Sequence, residues 1–199
     1  QPAIYKAFNK MALWLCEGQQ DDMDFEERDE VSIDEYMNMI KNKTSVLIGF
    51  CFKAGAIMGG ASQIAQDKIY EFGINLGLAF QLQDDYLDAF GDPESFGKQV
   101  GGDIIENKKT YLYLKAIELG SARQQKELID MFSIQPDDPS GKIARIKTIF
   151  EETGAADQTQ SAIEIYTQRA FDVLNKLDVA TDKKEILKKF GNGLMVRRV

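Results

Sequence analysis

The stretch Phe80-Gln81-Leu82-Gln83-Asp84-Asp85-Tyr86-Leu87-Asp88-Ala89-Phe90, FQLQDDYLDAF, sets three aspartates among apolar residues. On an α-helix at 100° per residue, Gln81, Asp84, Asp85 and Asp88 fall at i, i+3, i+4 and i+7, which makes one polar stripe. Leu78, Ala79, Phe80, Leu82, Tyr86, Leu87, Ala89 and Phe90 cover the other faces, and Gln83 is the single polar exception. A helix that is apolar nearly all round is normally enclosed by protein. The stretch therefore predicts a buried helix of an all-α bundle, with its acidic stripe facing an internal cavity.

A solvated acidic face is the alternative. Such faces interleave lysines at i+4 and lie opposite one narrow apolar stripe, whereas no lysine or arginine occurs from Ile69 to Gly97. Crowded carboxylates in a low-dielectric site repel one another unless a cation enters, so the pattern favours a metal site. Oxygen-only ligands suit Mg²⁺, Mn²⁺ or Ca²⁺, and so sparse a cluster suits Mg²⁺, which typically takes one or two carboxylates plus substrate phosphates. Phosphates would need lysines close by. Lys98 follows in the glycine-rich loop, Lys108 and Lys109 are expected to open the next helix, and Lys43-Thr44 stand upstream. Each lysine alone reads as a solvated surface residue; the combination with the stripe is what points to an anion.

Composition agrees with one domain spanning residues 1–199, since 44% apolar residues suffice for a sizeable core. The balance of 24 basic against 32 acidic groups, −8 in all, disfavours nucleic acid as a partner. The most apolar run, from Val46 to Ala61, is broken by Lys53 and falls short of the ~20 residues of a bilayer span. Cys16 and Cys51 have no CxxC context and read as reduced, buried core thiols of a cytoplasmic protein. The absence of histidine excludes histidine bases, histidine metal ligands and Ser-His-Asp triads, leaving carboxylates, lysines and amides for chemistry.

Helical periodicity runs almost throughout, as in Ile4, Ala7, Phe8, Met11, Leu15 and in Ile163, Tyr166, Ala170, Phe171, Leu174, Leu177, and no segment alternates with period two. Ser32-Ile33-Asp34-Glu35 has capping-box spacing and opens the helix carrying Tyr36, Met39, Ile40 and Lys43. Gly120, Gly154 and the Gly191-Asn192-Gly193 cluster read as stops, and Pro136 and Pro139 mark a turn. About seven or eight helices are expected from the pattern.

The chain resembles the trans-isoprenyl diphosphate synthases, the polyprenyl synthetase family. FQLQDDYLD at 80–88 is similar to that family's second aspartate-rich motif, FQxxDDxxD, and runs on through Gly91-Asp92, Gly97-Lys98, Gly102-Asp103 and Asn107-Lys108. Gly18-Gln19-Gln20-Asp21-Asp22 resembles its GQxxD motif, Lys43-Thr44 its KT pair, and Leu194-Met195-Val196-Arg197-Arg198 its basic carboxyl end. The ordered set extends over essentially the whole chain.

The resemblance implies an isoprenoid synthase-type helical bundle around a central cavity and condensation of isopentenyl diphosphate with an allylic diphosphate. It implies Mg²⁺, or Mn²⁺, on Asp84 and Asp88 with Asp85 acting through water. Lys43, Lys98 and Lys108 would contact the allylic diphosphate, Thr44 and Gln81 would flank the allylic cation, and Gln19 and Asp22 would stand behind Lys43. Arg197 and Arg198 would bind substrate, and a homodimer is expected. The family's first DDxxD motif, with its pair of arginines, should precede GQxxD, and nothing like it precedes Gly18. The expectation is thus a carboxyl-terminal portion, lacking its amino-terminal helices and inactive alone. A non-catalytic regulatory subunit and a class I terpene cyclase are the competing functions.

Overall fold

The computed structural model describes residues 2–92 and 100–195, and within them the chain is helical with no strand. Ten α-helices occur among the described residues, more than the sequence pattern suggested: α1 Pro2–Glu27, α2 Ile33–Ile40, α3 Val46–Met58, α4 Gln63–Phe90, α5 Gly102–Ile105, α6 Tyr111–Leu119, α7 Ala122–Met131, α8 Ser140–Glu152, α9 Ala155–Asn175 and α10 Thr181–Met195. A π-helical turn, Lys41–Ser45, joins α2 to α3 without a break. No described helix is long and apolar enough to cross a membrane.

The helix boundaries follow local chemistry. Ser32 and Glu35 form the expected capping box: the Glu35 amide donates to Ser32 Oγ at 3.2 Å, and the Ser32 amide donates to Glu35 Oε2 at 2.8 Å. The Ser32 backbone amide, then its hydroxyl and the Arg28 guanidinium, hold the Glu35 carboxyl down to about 2. Ser121 and Gln124 build a second capping box at the start of α7. Two of the predicted stops hold, with Gly120 ending α6 and Gly154 taking φ 77° between α8 and α9. The third does not. α10 runs through Gly191, whose Cβ position would lie 3.1 Å from the Phe171 ring, so this glycine permits packing inside a helix.

The chain divides into two compact units. The first comprises the residues up to Met23, Met37–Gln81 and those from Ile163 on. Its core gathers Ile69, Phe72 and Leu76 of α4 with Ala170 and Leu174 of α9 and with Leu177. Small residues bring its helices close, since Gly73 of α4 meets the backbone of Gly49 and Gly77 meets Ser45. Cys16 and Cys51, read from sequence as buried, are both free and exposed: they lie on faces of α1 and α3 that carry other exposed apolar groups, Phe8, Leu13 and Leu47 among them. The second unit comprises Asp24–Tyr36 and Leu82–Ala162, with Ile104, Leu112, Leu128, Ile146, Ile149 and Phe150 buried.

Candidate active site

α4 carries the acidic stripe, and as the sequence demanded, no residue between Phe72 and Phe90 is exposed. The stripe itself separates into two roles. Asp84 and Asp88 are half-buried, one helical turn apart. Asp85 is buried and accepts a short hydrogen bond from the Tyr36 hydroxyl, itself buried. Tyr36 is 49 residues away and no sequence pattern points to the pairing.

Asp88 is held from below by α5. The Asp103 amide donates to Asp88 Oδ2 at 2.9 Å, and the Gly101 amide donates to the Asp88 carbonyl at 2.6 Å. A Cβ on Gly102 would lie 3.1 Å from Asp88 Oδ1. Burial raises the proton affinity of Asp88, the α5 amides partly offset this, and the charge of Asp84 adds to it. Asp103 is perturbed further. Burial first, then the charge of Asp88, pushes its carboxyl up to about 6, although Lys108 opposes the shift.

Lys108 Nζ lies 3.4 Å from Asp103 Oδ1 and 2.6 Å from Glu106 Oε2, and these partners raise its pKa despite partial burial. Lys108 and Lys109 precede α6 rather than opening it, because Thr110 occupies the N-cap position. Lys109 points elsewhere, donating to the Phe25 carbonyl at 3.1 Å. Asp103 is the member of this group that sequence reasoning left without a role, although Gly102-Asp103 was visible in the run after the stripe.

In the first unit, Lys43 and Thr44 lie on the π-helical turn, a geometry that often re-aims side chains at functional sites. Lys43 Nζ is 2.5 Å from Asp22 Oδ2, and Thr44 Oγ1 donates to Gln81 Oε1 at 2.9 Å. Gly18 of α1 makes the first pairing possible: its Cβ position would stand 2.4 Å from the Lys43 backbone nitrogen, so only glycine permits the approach. Gln19 is exposed. Lys98, Arg197 and Arg198 lie outside the described residues.

Among the described residues, no three carboxylates stand close enough to hold a metal ion by themselves. The donor set nevertheless fits a divalent cation that draws part of its shell from a ligand: Asp84 stands one turn from Asp88, and burial together with the neighbouring carboxylate charges raises the proton affinities of Asp88 and of Asp103 behind it.

The polyprenyl synthetase family model matches residues 1–152. The chain belongs to the polyprenyl synthetase family. It is 42% identical over 173 residues to a short chain isoprenyl diphosphate synthase of Methanothermobacter thermautotrophicus, covering 87% of this chain and 52% of that protein. A crystal structure of a geranylgeranyl pyrophosphate synthase superposes with a TM-score of 0.90 at 50% identity, over 99% of this chain and 61% of that one. A polyprenyl synthase from Caulobacter crescentus CB15, solved with calcium and isoprenyl diphosphate, superposes with a TM-score of 0.90 at 26% identity, over 100% of this chain and 60% of that one. The chain spans about half the length of the curated relatives it matches. The all-α, isoprenyl synthase-type fold expected from the sequence is the one found.

Proposed function

We propose that this chain is part of a magnesium-dependent trans-prenyltransferase that condenses isopentenyl diphosphate with an allylic diphosphate to give a longer polyprenyl diphosphate. The observation that carries the reading is the group formed by Asp84, Asp88, Asp103 and Lys108, in which Asp88 and Asp103, both of raised proton affinity, stand beside a lysine of raised pKa. Such a group lacks positive charge and gains from a cation that arrives with an anionic ligand.

Asp84 and Asp88 would hold Mg²⁺, with Asp103 behind them. When bound, the cation neutralises charge on a departing diphosphate. Lys108 adds a donor to the same diphosphate, at the cost of loosening its contacts to Asp103 and Glu106. Lys43, paired with Asp22, supplies a second ammonium to the leaving group; Lys98 is proposed to do the same from the glycine-rich loop, and Arg197 and Arg198 to assist substrate binding. Thr44 and Gln81 present hydroxyl and amide dipoles whose negative ends suit an allylic cation. Asp85 contributes through Tyr36, by fixing the orientation of α4 and the α1–α2 corner.

A radiolabelled isopentenyl diphosphate assay on the full-length protein, with dimethylallyl, geranyl and farnesyl diphosphates in turn, is the test. Magnesium-dependent chain elongation with at least one allylic substrate is expected, and chelation should abolish it. No product with any of the three overturns the reading. The 199 residues alone are expected to give no condensation in the same assay, because the family's first aspartate-rich motif is not among them.

A further inference from the structure

Lys142 on α8 is 5% exposed, the one buried lysine among the described residues. A buried ammonium is costly unless its donors are well placed, and burial lowers the pKa of this one. Its acceptors are neutral. Nζ donates a short hydrogen bond to Asn107 Oδ1 and another, at 2.9 Å, to the Ile134 carbonyl, and it lies 5.7 Å from the centroid of the Phe132 ring. No step proposed above uses Lys142.

The partner explains the expense. Asn107 has φ 59° and is the one described non-glycine residue in the left-handed region, a conformation that L-residues other than asparagine and aspartate rarely adopt. It closes α5 in a Schellman arrangement: the Asn107 amide donates to the Ile104 carbonyl at 3.3 Å, and the Lys108 amide to the Asp103 carbonyl at 2.9 Å. The second bond turns the Lys108 backbone back over Asp103, and from there its Nζ lies 2.6 Å from Glu106 Oε2 and 3.4 Å from Asp103 Oδ1. The left-handed turn at residue 107 therefore sets the backbone from which the Lys108 side chain reaches Asp103 and Glu106.

The geometry points to Lys142 as a positioning residue: its buried amine, acting through the Asn107 side chain, locks the left-handed turn that sets Lys108 against Asp103. For catalysis this rests on the prenyltransferase reading, since Lys108 is the cation offered to the diphosphate. The lock itself does not depend on that reading.

The test uses three variants of the full-length protein: Lys142→Met, Asn107→Gly and the double variant. In Lys142→Met, amide exchange at Lys108 should accelerate about tenfold or more as the turn opens. The KM for the allylic diphosphate should rise about fivefold or more, with that for isopentenyl diphosphate within about twofold of wild type. Glycine adopts the left-handed turn without a tether. Asn107→Gly alone should therefore keep slow exchange at Lys108 and a wild-type KM, losing only global stability because Lys142 loses an acceptor, and the double variant should regain both slow exchange and the lower KM. Wild-type exchange in Lys142→Met, or a double variant as impaired as the single one, overturns the proposal. If Lys142→Met does not fold, the double variant decides: recovery of fold and exchange supports the lock, and continued failure assigns Lys142 to packing alone. Exchange effects as expected in a protein that makes no product would keep the lock and remove the prenyltransferase reading.

Discussion

The candidate site residues of the first unit are paired with one another, whereas the carboxylates of the second unit's candidate site crowd like charges together. Lys43 pairs with Asp22 and Thr44 with Gln81, on helices that glycines bring into backbone contact. Beyond Gln81 in sequence, Asp84 and Asp88 crowd with Asp103 and one lysine, and the proton affinities of Asp88 and Asp103 are raised. The first arrangement is stable as it stands and serves by being rigid. The second holds unfavourable charge that a cation relieves, which is how a folded protein can be predisposed to bind one.

The most forceful way to break the contrast is to remove the crowded charge. Asp84→Ala and Asp88→Ala in the full-length protein should each lower kcat by two or more orders of magnitude, roughly 3 kcal/mol of barrier. Melting temperature without ligand should hold or rise for Asp84→Ala, because a like charge is being deleted, and change little for Asp88→Ala, where the lost hydrogen bond to the Asp103 amide offsets that gain. A large drop in melting temperature with activity retained would assign these carboxylates to structure.

Acidity sharpens the same comparison. Asp103 is raised from 3.8 to about 6 in the folded chain, so between those values the folded state binds more protons than the unfolded one, and stability falls as pH rises through the window. The rise from 3.8 to about 6 bounds the loss at about 3 kcal/mol. Metal-free denaturation at pH 4.5 and 7.5 should show Asp103→Asn gaining on wild type as pH rises, and Mg²⁺ with pyrophosphate should narrow the gap. A gap independent of pH would mean that Asp103 carries no such shift.

Rigidity of the first unit can be attacked at Gly77. A Cβ there would sit 2.6 Å from Ser45 Cα, a backbone atom that cannot swing aside, whereas nothing lies within 4 Å of the Cβ position at Gly55. Gly77→Ala should cost about 1–3 kcal/mol of stability and displace Thr44 from Gln81. Gly55→Ala should be neutral or mildly stabilising in the same urea titrations. Equal effects at the two positions would contradict the close approach of α4 to the π-helical turn at Ser45.

How far these features could be read in the sequence depended on their range. The capping box at Ser32 is a pattern of four adjacent residues, and the enclosed α4 with its acidic stripe is a periodicity within one helix, so both were legible. The Tyr36 to Asp85 bond, the Lys142 to Asn107 bond and the fit of Gly18 against Lys43 join distant segments and leave no local trace. Glycine was ambiguous for the same reason, since a stop at Gly154 and a packing site at Gly191 look alike in one dimension. Burial of Cys16 and Cys51 was misjudged because an apolar neighbourhood in sequence does not say whether other helices cover that face.

The smallest effect is expected where the first unit's polar residues are already satisfied. Thr44→Val removes the hydrogen bond to Gln81 while nearly keeping side-chain volume, and both partners are only half-buried, so water can replace the lost donor. The net cost to stability should be about 1 kcal/mol or less. The same change removes an oxygen lone pair from beside the proposed allylic cation, an interaction that strengthens only as positive charge develops. Its loss should therefore appear in kcat with little change in the KM for either substrate. Measuring stability and both kinetic constants on one preparation of Thr44→Val separates the two contributions. A fall in stability well beyond 1 kcal/mol with kcat unchanged would make the Thr44 to Gln81 pair a structural clasp, and the polar residues of the first unit would then hold the helices together without touching the reaction.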